Sequence, residues 1–167
     1  MKRNIPFNVP TRKVRPTRTG RAGFTLVEIM VAVVIIGVLA ALALPAFQRV
    51  QRSAISKRYI NDARQISAGA ERYAMENGNF PPDGIAALHP NLRGYVPDSV
   101  FTSPTTPIGG VWDWDYNQNG ITAAISVYQF TVSDAQLLDI DATIDDGNLS
   151  TGSFRKIGNK AVWIIQP

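Results

Sequence analysis

The chain has 167 residues, a formal charge of +4 and no cysteine, enough for one modest domain plus a membrane segment. Without cysteine it has neither disulfides nor thiolate metal sites, and a single histidine, His89, argues against a His-rich zinc site or a Ser-His-Asp triad. The charge is uneven: residues 1–23 hold seven bases and no acid, while the remainder has ten bases against 13 acids, so the high isoelectric point is poor evidence for a nucleic-acid-binding domain.

A basic leader, residues 1–23, abuts the apolar run FTLVEIMVAVVIIGVLAALALPAF from Phe24 to Phe47, in which Glu28 is the one ionisable side chain. At about 1.5 Å per residue a helix of this length crosses a hydrocarbon core of about 30 Å. The positive-inside rule puts the leader in the cytoplasm and everything after Phe47 on the far side. Glu28 falls just past the first turn, where an unpaired charge costs a few kcal/mol. Gly37 weakens the helix interior, and Pro45 is expected to kink the helix without ending it.

Residues 48–77 continue the helix in amphipathic form. Tyr59, Ala63, Ile66, Ala70 and Tyr73 recur at helical spacing, and Arg52, Lys57, Arg58, Arg64 and Arg72 largely avoid that stripe. Asn77-Gly78 supplies a C-cap and Pro81-Pro82 prevents resumption. Residues 78–167 form the remaining domain, beginning with a segment to residue 110 read as mostly loop. Val111–Tyr116 alternates, with Trp112, Trp114 and Tyr116 on one face and Val111, Asp113 and Asp115 on the other. A turn at residues 117–120 precedes a β-prone run from Ile121 to Val132. Ser133 with Gln136 resembles a capping box opening a short helix, broken at Asp145-Asp146-Gly147-Asn148. Phe154–Ile157 and Lys160–Ile165 pair around Gly158-Asn159. The fold class is α+β: a long N-terminal helix, membrane-spanning and then amphipathic, packed on a small antiparallel sheet of about four strands.

Several residue groups carry the chemistry of a site. Asp115 to Gly120 matches the first half of an EF-hand loop, but Ser126 stands where the bidentate Glu belongs and the flanks read as strands, so a hairpin turn is the better account. The Trp112, Trp114 and Tyr116 face reads as core before it reads as a ligand platform. Asp139, Asp141, Asp145, Asp146 and Asn148 concentrate oxygen donors that would suit Ca2+, although their spacing matches no defined loop and turn chemistry explains them more simply. His89 reads as a loop residue, and nothing resembles a catalytic constellation.

Gly23-Phe24-Thr25-Leu26-Val27-Glu28, with a basic leader before it and an apolar helix after it, resembles the prepilin signature of type IV pilins and type II secretion pseudopilins. The resemblance is strong over residues 18–50, and Gly37 and Pro45 also match helix-weakening positions of that family. It implies cleavage between Gly23 and Phe24 by a prepilin peptidase, N-methylation of the Phe24 amine, and pairing of Glu28 with the Phe24 amine of a neighbouring subunit. It further implies an inner-membrane protein with a periplasmic domain, handled by an assembly platform together with identical or related subunits and membrane lipid. Major pseudopilins of the family carry calcium in a C-terminal loop, and Asn77-Gly78-Asn79-Phe80-Pro81 is similar to the stretch that follows their helix. Three alternatives stand beside it: an uncleaved single-pass anchor, a secretory signal peptide cut after Ala41-Leu42-Ala43, and a membrane-tethered periplasmic module that binds carbohydrate or another ligand. Residues 79–167 hold nine acids and four bases, which disfavours nucleic acid as that ligand.

Overall fold

The computed structural model describes residues 23–84 and 86–167; the basic leader up to residue 22 lies outside them. One helix, α1 (Leu26–Asn77), dominates the chain at 52 residues. The chain forms two compact units, one ending at Leu42 and the other running from Ala43 to Pro167. In the first unit every described residue is exposed, and large apolar side chains such as Leu26, Ile36 and Leu39 point outward all round the helix. An unburied helix that is apolar on every face requires lipid or other apolar helices around it, and this one is long and apolar enough to cross a membrane.

The second unit begins with the rest of α1 and adds a 3-10 turn (Pro90–Leu92), α2 (Asp98–Phe101), β1 (Val111–Gln118), β2 (Ile121–Tyr128), α3 (Asp134–Ile144), β3 (Phe154–Ile157) and β4 (Lys160–Gln166). The segment read from sequence as loop thus holds two short helical turns, each buried through one residue, Leu92 and Val100. The four strands make one antiparallel sheet in the order β1-β2-β4-β3. Strand β2 stops at Tyr128, short of the β-prone run to Val132, because Gln129 has positive φ and turns the chain away.

Tyr59, Ala63, Ile66 and Ala70 of α1 are wholly buried against Trp112, Trp114, Ile125, Val127, Phe154 and Ala161 of the sheet, with Leu137 and Ile140 of α3 in the same core. Tyr59 stacks on Trp112 at 5.5 Å and meets Phe154 edge-on at 6.0 Å, so one ring touches both edge strands. Trp114 is fully buried and its indole N–H donates to Pro81 O at 3.0 Å, which places the tryptophan pair in the core. The opposite face of β1 carries Asp113 and Asp115, both buried; Lys160 Nζ lies 2.7 Å from Asp113 Oδ2 and 2.5 Å from Asp115 Oδ1, and Ser126 donates to Asp115 Oδ2. Asp115 is therefore part of a strand and its ion pair, which removes it from any EF-hand loop. The free edge of β1 is covered by the loop before it, where Gly84 N donates to Trp114 O and Trp114 N donates to Ala87 O.

On α1 the close approach falls at Gly69, where an added Cβ would lie 2.8 Å from Tyr95 O and 2.9 Å from Val96 Cγ2. Glycine to alanine in an open helix gains about 1 kcal/mol, whereas overpacking a full core costs about 1–3 kcal/mol. Gly69→Ala is therefore expected to lower the thermal midpoint by several degrees, followed by near-ultraviolet circular dichroism of the buried tryptophans. An unchanged or higher midpoint would show that the approach to residues 95–96 is not a constraint.

Candidate functional site

Two groups of residues carry chemistry that the core does not absorb: the start of α1 and the turn after α3. At the first, Gly23, Phe24 and Thr25 precede the helix and Phe24 is 83% exposed. Thr25 N and Thr25 Oγ1 each donate to Glu28 Oε2 at 2.8 Å, and Glu28 N donates back to Thr25 Oγ1 at 3.2 Å. This reciprocal pattern is a capping box, with Thr25 as N-cap and Glu28 at the third helical position. The carboxylate that looked unpartnered in the sequence is the helix's own cap. The Thr-x-x-Glu spacing is the sequence signal for it, set in an apolar context that masks it. Both bonds reach Oε2; among the described residues Oε1 takes part in none.

Gly37 lies in the middle of the exposed apolar stretch, with no atom within 4 Å of where a Cβ would stand. Pro45 sits inside α1, and the helix runs through it to Asn77. A proline there removes one backbone hydrogen bond to the preceding turn.

At the second group, α3 opens on Ser133, whose hydroxyl accepts from Gln136 N as its spacing predicts, and closes at Asp145. Asp141 is fully buried and neither of its carboxylate oxygens has a hydrogen-bond partner. One carboxylate oxygen each from Asp141, Asp145 and Asp146 lie within 4.8 Å of one another. Asp145 Oδ2 accepts from Ser153 N, while Asp146 accepts from Asn148 N at 2.8 Å and Thr151 Oγ1 at 2.7 Å. The other two residues of the sequence-derived set do not converge with them. Asn148 Oδ1 is taken by Ser150 N at 3.1 Å in its own turn, and Asp139, two positions from Asp141 on the helix, lines a different cleft beside Arg49 and Arg52. Burial raises the pKa of Asp141, as do the charges of Asp146 and Asp145, while Thr151 and Asn148 lower that of Asp146 by hydrogen bonding. Three carboxylates with two orphaned buried oxygens fit a hard, oxygen-seeking cation such as Ca2+. His89, read as a loop residue, caps the 3-10 turn by accepting from Asn91 N at 3.2 Å.

The Asp141 pKa fixes a sign. A carboxyl group whose folded pKa exceeds its unfolded value contributes stability below the ordinary carboxylate range, and loses it as pH rises through the raised value. In buffer freed of divalent cations, Asp141→Asn is therefore expected to exceed the parent in thermal midpoint at neutral pH, with the gap closing on acidification. A gap that ignores pH would mean that the Asp141 charge is not the cause.

Residues 18–44 match the family model described as the prokaryotic N-terminal methylation motif. The chain is 32% identical over 130 residues to the fimbrial protein EcpC of Eikenella corrodens, covering 77% of this chain and 78% of that protein. It is 28% identical to the type II secretion system core protein G of Dickeya chrysanthemi, over 82% of this chain and 93% of that one. Against the type IV major pilin protein PilE1 of Neisseria gonorrhoeae the identity is 37%, over 49% of this chain and 40% of the pilin. Among solved structures, the major type IV pilin PilA1 of Clostridium difficile superposes with a TM-score of 0.51 at 16% identity, covering 71% of this chain and 98% of that one; that match speaks to the fold.

Proposed function

We propose that this chain, which belongs to the type IV pilin family, is a non-enzymatic filament subunit: a pseudopilin of a type II secretion system or a closely related type IV pilin. A prepilin peptidase would cut between Gly23 and Phe24 and methylate the new amine. The mature chain would wait in the inner membrane with residues after Phe47 in the periplasm, until an assembly platform extrudes it among related subunits. Gly37 and Pro45 would let the membrane half of α1 adjust between lipid and filament.

The capping box carries this reading. Cleavage at Gly23/Phe24 leaves Thr25 and Glu28 intact, so the helix keeps its cap while an ammonium appears one residue ahead of it. A positive charge opposes the helix dipole at that end, and Glu28 keeps Oε1 for a cation while Oε2 holds Thr25. The Phe24 amine of a neighbouring subunit is the partner we assign to it. Burial of Trp112 and Trp114 deprives the tethered carbohydrate-binding alternative of its aromatic platform. The acidic turn of Asp141, Asp145 and Asp146 is assigned to Ca2+, which would brace the α3–β3 connection.

Mass spectrometry of the N-terminus from producing cells tests the processing. A methylated Phe24 start is expected; a start near Leu44 or an intact leader would refute it. Glutamine also serves in a capping box, so Glu28→Gln keeps the cap and removes the charge. Breaking a buried pair costs about 3–5 kcal/mol, and this variant is expected to be cleaved normally yet enter filaments more than a hundredfold less; normal assembly would refute the pairing. For calcium, millimolar Ca2+ but not Mg2+ is expected to raise the thermal midpoint of the parent and leave Asp145→Ala unmoved, and an equal response of both proteins would exclude the turn as the site.

A further inference from the structure

The buried stripe of α1 runs through Ala70, Ile66, Ala63 and Tyr59 in steps of three and four. Continued toward the N-terminus with the same steps it meets Ser56, Arg52 and Arg49. Where the apolar face should go on there are small and basic residues instead, so Arg52, read from sequence as off the stripe, lies on its extension. These residues, with Ser53 and Lys57, line one wall of a cleft of about 290 Å3 whose opposite wall is Asp139 and Thr143 of α3. The ion pairs of the described residues involve none of its three cations, and one carboxylate against three cations leaves the cleft with an excess of positive charge.

The position of the cleft along the helix identifies the anion. Arg49 and Arg52 follow Phe47 by two and five residues, about 3 and 7.5 Å at 1.5 Å per residue. A bilayer is about 40–45 Å thick with headgroups against about 30 Å of hydrocarbon, so each headgroup layer is roughly 5–7 Å deep. Helical side chains lean toward the N-terminus, which here is toward the apolar run, so arginines at these two positions have the length to reach back into that layer. Arginine binds phosphate through paired donors, while Asp139 and Thr143 across the cleft can accept from hydroxyl groups. We propose that this cleft holds the phosphate of an anionic, hydroxyl-bearing phospholipid headgroup, phosphatidylglycerol being the chemical type, and so seats the domain on the leaflet it faces. The proposal rests on the membrane-spanning reading above and deepens it.

The test uses the full mature chain in phosphatidylcholine vesicles, with spin-labelled phosphatidylglycerol or spin-labelled phosphatidylcholine as probe. A basic residue at an anionic surface is worth about 1 kcal/mol, roughly fivefold. The motionally restricted fraction is therefore expected to favour phosphatidylglycerol by at least fivefold, and the exposed-site double variant Arg49→Gln/Arg52→Gln to bring the ratio near one with its circular dichroism unchanged. Equal association of both labels with the parent chain, or retained preference in the double variant, would overturn the proposal. Loss of the preference on adding 10 mM inorganic phosphate at constant ionic strength would point to a free-phosphate site and overturn the lipid assignment. Absence of a restricted component from either label would instead overturn the membrane-spanning reading. If the double variant keeps its lipid preference but no longer assembles, the cleft is a subunit contact, and the lipid site is refuted.

Discussion

Tyr59 is the contact on which the domain closes. A helix longer than any sheet it can cover has to be held by a few residues, and here a fully buried ring reaches from β1 through Trp112 to β3 through Phe154, the two edges of the sheet. Burying such an aromatic side chain is worth about 1.5–3 kcal/mol before the aromatic geometry adds to it. Ala63 and Ala70 are small enough to let the helix approach, and Gly69 lets it pass residues 95 and 96. The hydroxyl of Tyr59 has no partner in this core, and its pKa is raised by burial, so the ring's packing outweighs an unsatisfied polar atom.

Carboxylates sort the molecule into structural and functional parts. Each of the acids held in a demanding place meets a different fate. Asp113 and Asp115 share Lys160 within the sheet, which leaves one buried oxygen of Asp113 without a partner. Glu28 spends one oxygen on Thr25. Asp141 has no partner for either oxygen. A buried charge without a partner is costly enough that it either neutralises or recruits a cation. The two acids without a cation of their own chain are the ones for which an outside partner is proposed, an ammonium for Glu28 and a metal ion for Asp141. The basic cleft beside α3 is the converse case, cations without enough acids.

Much of the fold was legible because it is local. The stripe of α1, the Ser133 cap and the Gly158-Asn159 turn follow from spacing and turn chemistry within a few residues of one another, and all three stand in the structure. Strand order was not legible, since β2 pairs with β4 across α3 and nothing local distinguishes that from pairing with β3. The cover of the β1 edge by residues 84–87 is likewise a long-range backbone contact. At the acidic turn, composition gave the donors but not their directions: Asp139 and Asp141 stand two residues apart on α3 and do not converge, because positions i and i+2 of a helix lie on different faces. The cap at Thr25 is legible in the Thr-x-x-Glu spacing but is masked by the apolar run around it, in which the same glutamate reads as a charge in lipid.

That cap alters what the Glu28 carboxylate has to accomplish. A glutamate free to rotate would lose side-chain entropy when a neighbour's amine captured it, of the order of 1–2 kcal/mol. Held by two bonds to Thr25, it has already lost that freedom, so the free oxygen is presented in a fixed direction before any partner arrives. The same bonds keep the helix start at Leu26, which leaves Gly23 and Phe24 outside the helix and their peptide bond open to a peptidase. One short-range motif therefore serves both proposed steps in succession. It exposes the bond to be cut and orients the acid that the freed amine is to meet, and it does so with atoms that cleavage does not touch.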